Sequence, residues 1–205
     1  RLVRLGFDYA QRRNGAPKDG ISRVTCVDKS NVTRGCQLFR KVFNEVSEEF
    51  PDIAHEAAFI DAFTMWMIRN PEWFDVIVTT NMFGDIATDL GSVLQGGMGM
   101  AASGNIGDEH GLFEPVHGSS PKHAGKGIVN PIATLNSVQL MLEWLGMKCD
   151  DDDALAASNI IERAITDQLL SGDDLTYDLG GTASTSDVGD SIVARVRTLL
   201  AEHYS

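Results

Sequence analysis

Asp75-Val76-Ile77-Val78-Thr79-Thr80-Asn81-Met82-Phe83-Gly84-Asp85-Ile86-Ala87-Thr88-Asp89 carries a short apolar run straight into a segment of helical periodicity. Such a run, rich in β-branched residues, reads as a buried strand of a parallel sheet, and the segment after it reads as the helix that the strand feeds. Asp85 and Asp89 then lie four apart on that helix, which stacks two carboxylates on one face where a divalent cation could sit. Acidic residues near a helix start also interact favourably with its dipole, so the pair alone decides nothing.

The same alternation recurs on either side. Leu2, Leu5, Phe7, Tyr9 and Ala10 fit an amphipathic helix, and a Pro/Gly loop to Gly20 leads into a strand at 23–27. Lys29-Ser30-Asn31 comes after that strand, ahead of a helix reaching about Phe50 with apolar positions Leu38, Val42, Phe43 and Val46. Residues 53–60 predict a strand running into a helix at 61–69, with Asp61 as a candidate N-cap. Glycine or proline recurs every few positions through 97–131, which predicts a long loop of functional character. Helices are predicted at 132–146, 153–171 and 187–202. Strand and helix alternate in the first half and helices prevail in the second, so the fold class is α/β with a change near residue 95.

With 205 residues, 43% of them hydrophobic, the chain can bury one large or two small cores. A net charge of −12 and a pI near 4.7 argue against nucleic acid or an anionic membrane as partner, since both require a basic patch. The acidic runs 150–153 and 173–174 read as solvated helix starts or loops. Cys26, Cys36 and Cys149 have neither metal-ligand spacing nor an even count, which suits a reducing cytoplasm. No apolar stretch approaches a membrane span, and no signal-peptide core is present. The chain opens at Arg1 inside a helical pattern, as expected of a fragment, a processed product or an incomplete record.

A lysine at the carboxyl end of a strand stands where open α/β sheets place ligand contacts, which makes Lys29 a candidate acid/base; the plain alternative is a solvated lysine. Together with Asp61, Asp85 and Asp89 it suits metal-assisted oxidation of a 2-hydroxy acid and then decarboxylation. Carboxylate oxygens would hold Mg²⁺ or Mn²⁺, and the lysine would take or relay the hydroxyl proton. Gly97-Met98-Gly99 matches a loose dinucleotide pattern but comes after a helix, and Gly118 to Lys126 has the wrong spacing for a P-loop. Glu114-Pro115-Val116-His117-Gly118-Ser119-Ser120-Pro121 differs: small residues admit a ligand to the backbone, with Lys122, His123 and Lys126 at hand for phosphates.

Several of these stretches resemble one family, in order and at its spacing. They are Val27-Asp28-Lys29-Ser30-Asn31-Val32, Asp61-Ala62, residues 74–89, Phe113-Glu114-Pro115-Val116-His117-Gly118-Ser119, Gly125-Lys126-Gly127-Ile128-Val129-Asn130-Pro131 and Asp178-Leu179-Gly180-Gly181-Thr182. The chain is similar throughout to the isocitrate/3-isopropylmalate/tartrate dehydrogenases, the β-decarboxylating dehydrogenases. The resemblance implies a two-domain, non-Rossmann isopropylmalate dehydrogenase-like fold whose amino-terminal part is absent here. Residues 1–95 would belong to the dimer-forming domain and 96–205 to the nucleotide-binding large domain.

By the same resemblance the catalytic residues are Lys29, Asp61 and Asp85, and the metal ligands Asp61, Asp85 and Asp89. In a homodimer, Lys29 and Asp61 would reach into the partner's site. Cofactor contacts would come from Asn31, Glu114, His117, Gly118, Ser119, Lys122, His123, Asn130 and Tyr177. Lys122-His123, where NAD-using relatives tend to carry Asp-Ile, and Tyr177 favour NADP over NAD, since a cation suits the 2′-phosphate. Ala87-Thr88 in place of the common Leu-Ser is a neutral change.

The expected substrate is a 2-hydroxy di- or tricarboxylic acid of 3-isopropylmalate or tartrate/malate type, with NADP-dependent isocitrate dehydrogenase as alternative. The arginines that bind substrate, the catalytic tyrosine and the segment that selects the side chain would lie upstream of Arg1, so the isolated polypeptide is expected to be inactive. A non-catalytic regulatory subunit is the competing class, but all the metal and lysine positions are retained.

Overall fold

The computed structural model describes residues 1–203. The chain divides into two compact units, one of Arg1–Gly91 and a second from Ser92 onward.

The first unit is built on three parallel strands in the order β2-β1-β3: β1 Arg23–Asp28, β2 Ala54–Phe59 and β3 Val76–Thr79. Helices α1 Leu2–Arg12, α2 Arg34–Ser47, α3 Ile60–Arg69 and α4 Asn81–Leu94 flank or succeed them. Central β1 is buried from Val24 to Asp28, whereas edge strand β2 is almost wholly exposed. The core of this unit joins Phe7, Val24, Cys26, Phe43 and Val78, with the Phe7 ring stacked on Phe43 at 5.6 Å and on Phe50 at 4.9 Å. Helix α1 approaches β3 at Gly6, where a methyl group would fall 2.4 Å from Val78 Cγ1.

Two expectations need correction here. In α2 the buried stripe is Cys36, Phe43 and Val46 with half-buried Phe39, at i, i+3, i+7 and i+10 spacing, while Leu38 and Val42 lie about a third of a turn away and are exposed. In α3 the cap position is Phe59, which has no side-chain cap bond, so Asp61 stands inside the first turn.

The second unit packs α5 Ile132–Cys149, α6 Asp152–Ser171 and α7 Thr185–His203 around Met100, Ile132, Ile165, Val188 and Ile192. The long loop expected at 97–131 is in part an antiparallel hairpin, β4 Ala102–Ile106 with β5 Gly111–Pro115, docked on α5 through Phe113 and Trp144, whose rings lie 5.8 Å apart. Asp150 closes α5 in the left-handed region, and Asp151 caps α6 by accepting from Ala154 N–H at 3.0 Å. Among the described residues no helix is long and apolar enough to cross a membrane.

Candidate active site

Parallel pairing brings the carboxyl ends of the three strands into register: Asp28 lies opposite Phe59, and Val27 opposite Thr79. The residues just past each strand therefore gather at one edge of the sheet. Lys29 succeeds β1, Asp61 lies two residues past β2, and α4 with Asp85 and Asp89 begins two residues past β3. Lys29 Nζ meets Asp61 Oδ1 at 2.7 Å. The ammonium, hydrogen-bonded to Asp61, holds that carboxyl below the usual carboxylate range, so Asp61 is ionised at neutral pH. Asp85 and Asp89 are both exposed, and Asp85 Oδ2 accepts from Asn81 Nδ2 at 3.0 Å. Asn31 is exposed in the turn after Lys29.

Asp28, fully buried, receives both arms of the Arg40 guanidinium, Nε to Oδ2 at 2.7 Å and Nη2 to Oδ1 at 2.9 Å. The sequence signal for this pair is a carboxylate directly after Cys26-Val27 at the end of a strand, which needs a cationic partner to be buried at all. Sequence alone does not say which arginine supplies it.

In the second unit a cleft of about 610 Å³ lies among the loops 117–130 and 177–186. His117, Gly118, Ser119, His123, Asn130 and Tyr177 line it; Glu114, on β5, and Lys122 do not. Asn130 is buried, donates to Asp178 Oδ2 at 3.1 Å and accepts from Ile132 N–H at 2.9 Å, which fixes its amide at the cleft floor. Thr185 ties the 127–129 segment to the start of α7 through Val129 O and Gly127 O. His123 Nδ1 lies 2.8 Å from Ser120 Oγ, and its ring is 6.1 Å from that of Tyr177. Asp178, Thr185 and Ser120 are lining residues that the sequence pattern does not single out as cofactor contacts, although Asp178 opens the Asp-Leu-Gly-Gly-Thr motif.

The model of the isocitrate/isopropylmalate dehydrogenase family matches residues 1–192. The chain belongs to this family. It is 45% identical over 198 residues to the 3-isopropylmalate/3-methylmalate dehydrogenase of Methanocaldococcus jannaschii, covering 96% of this chain and 56% of the relative. It is 43% identical to the homoisocitrate dehydrogenase of the same organism, with coverages of 98% and 54%. Among solved structures, isocitrate dehydrogenase from Methylococcus capsulatus superposes with a TM-score of 0.82 at 40% identity, over 95% of this chain and 55% of that one. A β-decarboxylating dehydrogenase from Thermococcus kodakarensis gives the same TM-score at 38% identity, with coverages of 97% and 55%. The chain thus spans about half the length of the relatives it matches, and its α/β architecture is that of the isocitrate/isopropylmalate dehydrogenase fold. The names of these relatives span several substrates.

The donor set suits the divalent metal expected for such enzymes, because all three aspartates offer hard oxygen atoms and Asp61 is held ionised. Among the described residues of one chain, however, no three such groups converge to hold a metal ion.

Proposed function

We propose that the protein carrying this chain is an NAD(P)-dependent and Mg²⁺- or Mn²⁺-dependent oxidative decarboxylase of a 2-hydroxy di- or tricarboxylic acid, of the 3-isopropylmalate or tartrate/malate type, working as a homodimer with shared sites. The observation that carries this reading is the 2.7 Å Lys29–Asp61 pair at the carboxyl ends of parallel strands, with Asp85 and Asp89 on the helix after the third strand.

Asp85 and Asp89 of one subunit and Asp61 of the other would hold the metal, which supplies electrophilic stabilisation of the negative charge left by decarboxylation. Lys29 moves the substrate hydroxyl proton at Nζ, and Asp61 orients that Nζ. The cleft of the second unit takes the nucleotide. His117 and Gly118 line the adenosine side, and the fixed amide of Asn130 reads the adenine edge. His123 and Tyr177 stand together at the same cleft and suit a 2′-phosphate, with Lys122 next in sequence though outside the lining, which supports NADP over NAD. Isocitrate is the second substrate reading, on the likeness of Lys122 and Tyr177 to the NADP-using isocitrate dehydrogenases.

The test is metal-dependent NAD(P)H formation by the complete protein offered 3-isopropylmalate, isocitrate, malate and tartrate in turn. Asp85→Asn is expected to weaken Mn²⁺ binding by at least the roughly 10–100-fold that loss of an outer supporting group causes, and to abolish turnover. Unchanged Mn²⁺ affinity would sink the metal assignment.

A further inference from the structure

Arg40 lies outside the residues assigned to the chemistry, yet it touches the supports of both members of the Lys29–Asp61 pair. Its guanidinium forks onto Asp28, whose two oxygens also take the Ser30 backbone N–H at 2.8 Å and face Cys26 Sγ at 3.9 Å. The Ser30 bond folds the backbone back over Asp28 immediately after Lys29. Val32 and Thr33 N–H then donate to Lys29 O at 2.9 and 3.0 Å, and Gln37 Nε2 holds Ser30 O at 2.9 Å. The main chain of Lys29 is therefore clamped on both sides through a buried carboxylate whose charge the Arg40 guanidinium meets. The Arg40 guanidinium also sits 5.7 Å from the centroid of the Phe59 ring, and Lys29 Nζ lies 5.8 Å from that same centroid. Phe59 ends β2 and caps α3, the helix that carries Asp61.

We infer that Arg40 is a positioning residue: through Asp28 it fixes the backbone of Lys29, and through the Phe59 ring it fixes the start of α3, so that Lys29 Nζ and Asp61 are held in one geometry. A buried ion pair is a poor source of net stability compared with apolar residues of the same volume. What the fork contributes instead is direction, because a planar guanidinium accepts only one orientation of the carboxylate it grips. Lysine in its place would keep the charge and lose that constraint.

The inference rests on the reading of Lys29 as the proton-carrying group, but its test does not require turnover. In the complete protein labelled with ¹³C-lysine, the two Hε protons of an immobilised Lys29 give separate signals, assigned by their loss in Lys29→Arg. Asp28→Asn/Arg40→Met, which removes both charges together, is expected to collapse them into one averaged signal, as Asp61→Asn does directly. The same double exchange at Arg13–Asp75, a pair with an equally buried carboxylate side chain bonded at 2.7 Å, is expected to leave them separate and serves as the structural control. Should the Asp28/Arg40 double variant fail to fold, Arg40→Lys decides: collapse supports the positioning role. Separate Lys29 signals in a folded Asp28/Arg40 variant, or equal collapse in the Arg13/Asp75 control, would overturn it. Loss of the catalytic reading would appear elsewhere, as turnover by the complete protein that survives Lys29→Met.

Discussion

Cys26 shows how strongly the strand environment sets the chemistry of a single side chain. It points to the same face of β1 as Asp28, two residues on, and lies wholly inside the core. Burial first, and then the nearby Asp28 charge, pushes its thiol up from 9.0 to about 12. An unfolded chain loses that proton near pH 9 and the folded one keeps it, so stability should fall as pH climbs from about 9 towards 12. At neutral pH the thiol stays protonated and inert. Titration with a thiol reagent is expected to modify exposed Cys149 in the native protein and to reach buried Cys26 and Cys36 only after unfolding; rapid modification of all three would contradict this burial. Lys29 and Asp61 are legible in the sequence because position explains them: each comes just after a strand whose end the apolar pattern marks. Arg40 is not, since nothing in helical periodicity says which arginine will turn inward to meet a carboxylate twelve residues earlier.

The acidic run at 150–153 reads in the sequence as a solvated helix start or loop, and in the structure its members divide the work of ending one helix and starting the next. Asp150 adopts the left-handed conformation that closes α5, Asp151 caps α6, and Asp152 and Asp153 lie in the first turn, where negative charge complements the helix dipole. Asp151→Ala should cost about 1 kcal/mol, which for a chain of this size lowers the thermal midpoint by about 2–4 °C. A scanning calorimetry trace unchanged by the substitution would show the cap to be idle. Most helices are visible from spacing and punctuation, because periodicity records which face is buried. The hairpin β4–β5 escapes for the opposite reason: Ala102-Ser103-Gly104-Asn105-Ile106 has little intrinsic strand preference and is paired by its tertiary surroundings. The glycines that suggest a loop are there for packing. A methyl group at Gly104 or Gly111 would fall 3.1 or 2.7 Å from the Phe113 ring, whose place between the strands and Trp144 requires that space.

At the scale of the molecule, the residues assigned to one metal do not converge among the described residues of one chain, while the helices that bear them leave large apolar side chains uncovered. Met65 and Ile68 on α3 are 51% and 59% exposed, and Met82 and Ile86 on α4 are 64% and 54% exposed. Exposed apolar side chains of that kind, on the helices of the candidate metal ligands, suit an interaction face, and a two-fold dimer would present the same face from both copies. If that face brings Asp61 of one copy to Asp85 and Asp89 of the other, assembly and metal affinity must fall together, because the third ligand arrives only with the partner. Met65→Ser/Ile68→Arg changes no assigned ligand, and Ile68 is about two helical turns from Asp61. Sedimentation equilibrium is expected to show a dimer for the wild-type chain and a monomer for this double variant. Mn²⁺ titration of the monomer should then show affinity reduced by at least about 10–100-fold, the loss that removal of even an outer supporting group causes at a metal site. A monomer that binds Mn²⁺ as tightly as the wild type would place all the ligands within one chain and exclude the shared site.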